Sequence, residues 1–149
     1  MTKCSQVMTE NPVCCLGSDS ISSVTQQMQI QDVGAIPVVT DHETKKLIGI
    51  VTDRDIALRV VGAERETRGT WVADVMTPNP VACHAEDPIT MATDAMSLHK
   101  VRRIPTIDAN GQLVGIISQA DVATRLHNTN KTADVVTEIS QPNSIQMPR

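Results

Sequence analysis

Two hydrophobic periods alternate along this chain, and the alternation occurs twice. Ile21, Val24 and Met28 fall at i, i+3 and i+7, and Ile89, Ala92 and Met96 repeat that spacing. It is the spacing that gives a helix one apolar face. Each helix is preceded by a short strand after Asn-Pro-Val and opens near Ser18/Asp19 or Glu86/Asp87, which have N-cap chemistry. Short apolar runs then predict strands over 36–40 and 47–51, and again over 104–108 and 113–117. The second pair is joined by Asp108-Ala109-Asn110-Gly111, a hairpin turn by composition. A last helix in each half would bury Ile56, Ala57, Val60 and Val61, or Val122, Ala123 and Leu126. The unit is β-α-β-β-α.

The two halves are copies. Val7-Met8-Thr9-Glu10-Asn11-Pro12-Val13 returns 68 positions later as Val75-Met76-Thr77-Pro78-Asn79-Pro80-Val81. The same offset pairs Asp19 with Asp87, Val33 with Val101, and Ile36-Pro37 with Ile104-Pro105. After a two-residue deletion, Leu47 through Asp55 aligns with Leu113 through Asp121. About 20 of roughly 51 aligned positions are identical, so one supersecondary unit occurs twice. The expected organisation is a first repeat over 7–64, a linker over 65–74, a second repeat over 75–130, and a polar, partly disordered tail over 131–149. Within the tail, Val135, Val136 and Ile139 would line one short helix before Pro142. A repeat of this size buries little surface alone, so the copies are expected to pack on each other.

Composition narrows the function. Of 149 residues, 40% are hydrophobic and 20% charged, as in a chain that buries a core. No apolar run has the length of a membrane helix and the N-terminus has no signal-peptide core. A soluble cytoplasmic protein is expected. Net charge is −4, against non-specific nucleic-acid binding. With no Phe, no Tyr and only Trp71, an aromatic stacking platform cannot be built. Any base must be held by aliphatic side chains and backbone. Cys4, Cys14, Cys15 and Cys83 form no C-x-x-C pair and are expected as reduced thiols in or near strands.

The motifs of common catalytic sites are absent, and His42, His84, His99 and His127 lack metal-ligand spacing. Neither an enzyme nor a required metal is expected. What persists in both copies is Gly49-Ile50-Val51-Thr52-Asp53-Arg54-Asp55 and Gly115-Ile116-Ile117-Ser118-Gln119-Ala120-Asp121. Each ends a strand and opens a helix. The glycine admits a ligand or another backbone closely. A hydroxyl beside unpaired N–H groups suits a phosphate, and a carboxylate one turn later can accept from two ribose hydroxyls. Thr52 with Asp55, and Ser118 with Asp121, equally fit a capping box. The basic run Lys100-Val101-Arg102-Arg103 reads either as surface charge or as a phosphate clamp. Its counterpart, Asp32-Val33-Gly34-Ala35, carries no cation.

The duplicated V-M-T-x-N-P-V opening, the V-x-x-I-P strand and the G-I-[VI]-[ST]-x-x-D ending resemble tandem CBS domains, the Bateman module. The likeness runs over about 7–127 and is similar to the small stand-alone bacterial proteins of the hypoxic or stress-response type. It implies two repeats packed through their sheets around a pseudo-twofold axis, and often a homodimer formed through helices. It also implies adenosine ligands (AMP, ADP or ATP, less commonly S-adenosylmethionine or NAD-type molecules) in clefts between the repeats. Thr52 and Asp55 would then hold phosphate and ribose in one cleft, and Ser118 and Asp121 in the other. The adenine slots would be lined by Val13, Cys14 and Val33, and by Val81, Ala82 and Val101. Arg102 and Arg103 would contact phosphate. The missing cation at Gly34 and Ala35 favours a single occupied cleft. The function implied is a sensor whose repeat packing shifts on binding and is read by a regulated protein; the alternative is a structural or interaction module without a nucleotide.

Overall fold

The computed structural model describes residues 1–125, and its elements repeat as the sequence does. They are α1 (Cys4–Val7), β1 (Thr9–Glu10), β2 (Cys15–Leu16), α2 (Ile21–Gln31), β3 (Ala35–Val39), β4 (Leu47–Thr52) and α3 (Asp53–Ile56). α3 runs on as a π-helical turn over Ala57–Val61. Then come α4 (Val72–Val75), β5 (Thr77–Pro78), β6 (Cys83–His84), α5 (Ile89–His99), β7 (Arg103–Ile107), β8 (Leu113–Ser118) and α6 (Gln119–Arg125). The expectations for Leu126, His127 and the tail lie outside the described residues.

The chain divides into a first-repeat unit, Pro12–Pro80, and a second-repeat unit built from Met1–Asn11 with residues 81–125. Each holds one four-stranded mixed sheet, in the order β2-β3-β4-β5 or β1-β8-β7-β6. The opening segments therefore do not pair within their own repeat. β1 runs antiparallel to β8, with Thr9 opposite Ile116, and β5 runs antiparallel to β4, with Thr77 opposite Ile50. Isolated bridges complete the exchange, Lys3 with Pro88 and Ser20 with Trp71. The stretch 72–75, read from sequence as the end of a connector and the start of the repeat, is the helix α4, counterpart of α1.

The apolar stripes bury as their spacing requires. Ile21, Val24 and Met28 join Ile36, Val38, Val51, Val60, Val72 and Val75 in the first-repeat core. Ile89, Ala92 and Met96 join Val7, Ile104, Ile117 and Val122 in the second. Three local expectations are corrected. Ser20, not Ser18 or Asp19, caps α2, its side chain accepting from Ser23 N at 3.1 Å. Asp19 instead accepts from Leu16 N at 2.9 Å and Asp87 from His84 N at 3.1 Å, bracing the loop before each helix, while Pro88 occupies the cap position of α5. In the last helices only Ile56, Val60 and Val122 are buried; Ala57, Val61 and Ala123 face solvent because the π-helical turn and the short α6 present a narrower stripe. Asp32 (φ 53°) and Lys100 (φ 55°) close α2 and α5 in the left-handed conformation that ends many helices.

Candidate functional site

The two Thr/Ser-x-x-Asp turns are built alike. In the first-repeat unit Thr52 leaves β4 with extended backbone (φ −118°) and caps α3. Its Oγ1 accepts from Asp55 N at 3.0 Å, and Asp55 Oδ2 accepts from Thr52 N at 3.0 Å. In the second-repeat unit Ser118 Oγ accepts from Asp121 N at 3.0 Å and Asp121 Oδ2 accepts from Ser118 N at 2.9 Å. Both are reciprocal capping boxes. Capping occupies one lone pair of each hydroxyl and one oxygen of each carboxylate. The second oxygen, Oδ1, lies 3.9 Å from Arg59 Nε in Asp55 and 3.9 Å from Arg125 Nε in Asp121. The Asp121 carboxylate also accepts from Thr9 Oγ1, at 3.3 Å to Oδ1.

The glycines before these turns serve the protein's own chain. A Cβ on Gly49 would stand 2.6 Å from Met76 Sδ and 3.1 Å from Thr77 O, and one on Gly115 would collide with the Met8 side chain. Thus each glycine admits the methionine of the exchanged segment, and the close neighbour allowed for in the sequence is here a side chain.

The strand beside each turn gives the two units different chemistry. β7 pairs Arg103 with Ser118, and Gln119 N donates to Arg102 O at 2.8 Å, so the basic pair flanks the Ser118–Asp121 turn. The Arg102 Nε is buried with no acceptor among the described residues. In the other unit Ala35 lies opposite Thr52, and Asp53 N donates to Gly34 O at 2.9 Å. The strand pairing and backbone hydrogen bond there are equivalent, but no guanidinium stands at either strand position.

The residues expected to line an adenine slot fall in the same two sets. Val13 and Val33 pack on the first-repeat core, and Cys14, half-buried, has its Sγ 4.0 Å from His42 Nδ1. Val81 and Val101 pack on the second-repeat core beside half-buried Ala82. A cavity of about 360 Å³ in the first-repeat unit is lined by Thr25, Met28, Gln29, Asp32, Val33, Asp53 and Ile56.

All four cysteines are free thiols. Burial, with Asp19 nearby, pushes the Cys15 thiol up to about 12. Cys4 is pushed up by its hydrogen bond with Cys83 and by burial. Among the described residues no three His, Cys, Asp or Glu side chains gather as a metal site, and no helix is long and apolar enough to cross a membrane.

Two residues with a positional role escaped the sequence reading. Arg59 Nη1 donates to Val75 O at 3.0 Å, and Arg125 Nη1 donates to Val7 O at 3.0 Å and Met8 O at 2.7 Å. They occupy equivalent positions of the two copies, and that equivalence was the available signal.

Comparison with known proteins agrees with this architecture. The CBS domain family matches residues 4–62 and 72–128. The chain is 34% identical over 142 residues to the CBS domain-containing protein YhcV of Bacillus subtilis, covering 95% of this chain and 94% of that protein. Hypoxic Response Protein I, solved with two coordinated zinc ions, is similar at 28% identity and a TM-score of 0.76, over 84% of this chain and 99% of that one. CBSX2, solved in complex with AMP, is similar at 28% identity and a TM-score of 0.72, over 83% and 94%.

Proposed function

This chain belongs to the CBS-domain family, with two CBS domains, and from that premise we propose that it is a regulatory module binding an adenosine nucleotide. AMP, ADP and ATP are the ligands favoured, with residues of the Thr52–Asp55 and Ser118–Asp121 turns at the ribose and phosphate. The observation that carries the reading is Arg102, whose backbone carbonyl accepts from Gln119 N of the Ser118–Asp121 turn at 2.8 Å and whose buried Nε has no acceptor among the described residues. An unsatisfied buried donor is costly, and a shift of the Arg102 side chain onto a ligand phosphate would satisfy its guanidinium with charge-assisted bonds. The capping boxes are compatible with this role, because each leaves its hydroxyl proton to donate, while the Oδ1 atoms that face Arg59 and Arg125 at 3.9 Å would be shared with a ribose hydroxyl. Val81, Ala82 and Val101, and Val13, Cys14 and Val33, would provide an aliphatic surface for adenine in a chain with no Phe or Tyr. The AMP complex of CBSX2 supports the ligand class.

The module would act as a cytoplasmic sensor rather than an enzyme. Its ligand would favour one conformation, which a partner protein reads; this requires a difference in affinity between two states, typically about 1–3 kcal/mol. Self-association as a homodimer fits the solvent-facing apolar residues Ile30, Leu58 and Val61 of one unit and Met91 and Leu98 of the other.

A second reading rests on the closed capping boxes themselves: Thr52–Asp55 and Ser118–Asp121 would be structural caps of an interaction module without a nucleotide. A thermal-shift panel with AMP, ADP, ATP, S-adenosylmethionine, NADH and GTP separates the two. At ligand about 100-fold above Kd, binding should stabilise by about 2.7 kcal/mol, several degrees in melting temperature. A shift with adenosine ligands but not GTP supports the sensor. No shift at millimolar ligand supports the structural module.

A further inference from the structure

The two turns share a backbone plan but differ in charge at the same positions. Beside Ser118 and Asp121 stand Arg102 and Arg103, and the residue following Ser118 is the neutral Gln119. Beside Thr52 and Asp55 the equivalent positions hold Gly34 and Ala35, both buried, and the residue following Thr52 is Asp53. From the second copy to the first, the cations at 102 and 103 are lost, while Asp53 stands in place of Gln119 and Arg54 in place of Ala120. The turns themselves therefore balance, and the net difference is Arg102 and Arg103. Fork-shaped cationic donors strengthen phosphate binding beyond what a hydroxyl and backbone N–H groups give, so the difference bears on the phosphate more than on the base or ribose. Among the described residues, the buried side-chain nitrogen lacking an acceptor is Arg102 Nε, in the second-repeat unit.

Resting on the nucleotide-binding reading above and narrowing it at the Thr52–Asp55 turn to the ribose alone, we infer that the two half-sites select ligands of different charge. The Ser118–Asp121 half-site takes an adenosine ligand that carries phosphate. The Thr52–Asp55 half-site takes an adenosine-type ligand without phosphate, because Gly34 and Ala35 supply no strand guanidinium and the Asp53 carboxylate, which accepts from Arg54 N at 2.9 Å, offsets the charge of Arg54. One chain then reports on two ligands at once, rather than on one nucleotide at two equal sites.

Equilibrium dialysis of the full chain with AMP, and with adenosine added at saturating AMP, tests this. AMP is expected to saturate at one equivalent per chain, and adenosine to add a further equivalent without displacing it. AMP affinity should fall as ionic strength rises, while that of the second adenosine equivalent stays nearly constant. Arg102→Gln, checked for native circular dichroism, should weaken AMP at least tenfold. Two AMP equivalents of equal affinity, displacement of AMP by adenosine at a single site, or salt-independent AMP binding would each overturn the inference while leaving a nucleotide-binding module. Failure of AMP and adenosine alike to bind would overturn the proposed function, and this inference with it. The wild-type stoichiometry and salt dependence decide the matter even if Arg102→Gln does not fold.

Discussion

The Arg125 guanidinium donates from Nη1 to the Met8 carbonyl at 2.7 Å, joining residues 117 positions apart in sequence. A second bond, to Val7 O at 3.0 Å, places the same nitrogen at the C-terminal end of α1, where the last carbonyls lack helical partners. Arg125 also lies on Asp121, one turn earlier, at 3.9 Å. One side chain thus links the exchanged N-terminal segment to the turn proposed to hold the ligand, and Arg59 does the same for Val75, Met76 and Asp55 in the other unit.

Removing that link should loosen the segment before the rest of the unit. Arg125→Ala is expected to cost about 1–2 kcal/mol, the range for a charged hydrogen bond discounted for a half-exposed side chain. Urea unfolding gives the stability, and amide hydrogen exchange should show faster exchange concentrated in Cys4–Glu10. Uniform acceleration throughout the unit, or none, would contradict the role given to Arg125.

The capping boxes make a separate claim on the same carboxylates. Asp55→Ala and Asp121→Ala should each cost roughly 1 kcal/mol, the usual loss for a helix cap. Asp→Asn at either position keeps an acceptor and should restore most of that loss. Chemical denaturation of the two pairs of variants without ligand checks this. If Asp55→Asn proves as unstable as Asp55→Ala, the cap geometry does not account for stability at this turn.

Much of this was legible in the primary structure because the repeat imposes consistency. Ile21, Val24 and Met28 and their counterparts declare helices, and the runs ending at Thr52 and Ser118 declare the strands beside them. The exchange of opening segments was not legible. β1 and β5 are two residues long, too short for a hydrophobic period to show which strand they join. The caps were displaced because Asp19 and Asp87 have the chemistry of an N-cap but spend it on Leu16 and His84. Composition alone could not reveal that Gly49 and Gly115 face methionine side chains, since the partners come from exchanged segments.

Those glycines provide a direct check on the exchange. Gly49→Ala should destabilise by about 1–3 kcal/mol, the common cost of overpacking, since Met76 and the Thr77 carbonyl crowd the new methyl. Combining Gly49→Ala with Met76→Ala should recover part of the loss by vacating the space. A double-mutant cycle measures the coupling, and strict additivity of the two substitutions would argue against their contact.

The pH dependence of Asp41 follows from the β3–β4 turn. Its carboxylate accepts from Thr44 N at 2.7 Å, Thr44 Oγ1 at 2.7 Å and Glu43 N at 2.9 Å, and the Thr44 backbone bond leads in holding its pKa below the ordinary carboxylate value. The folded state therefore favours the ionised form. Its contribution is present above the unfolded pKa of about 3.9 and is lost as pH falls through the lower folded value. Cys15 works in the opposite direction: burial raises its folded value to about 12, so the neutral thiol stabilises fully below about 8.5 and less as pH rises towards about 12. Melting curves should accordingly show Asp41→Asn flattening the acid limb and Cys15→Ala flattening the alkaline limb, each relative to the parent. An alkaline limb unchanged by Cys15→Ala would mean that ionisation of this thiol is not linked to unfolding.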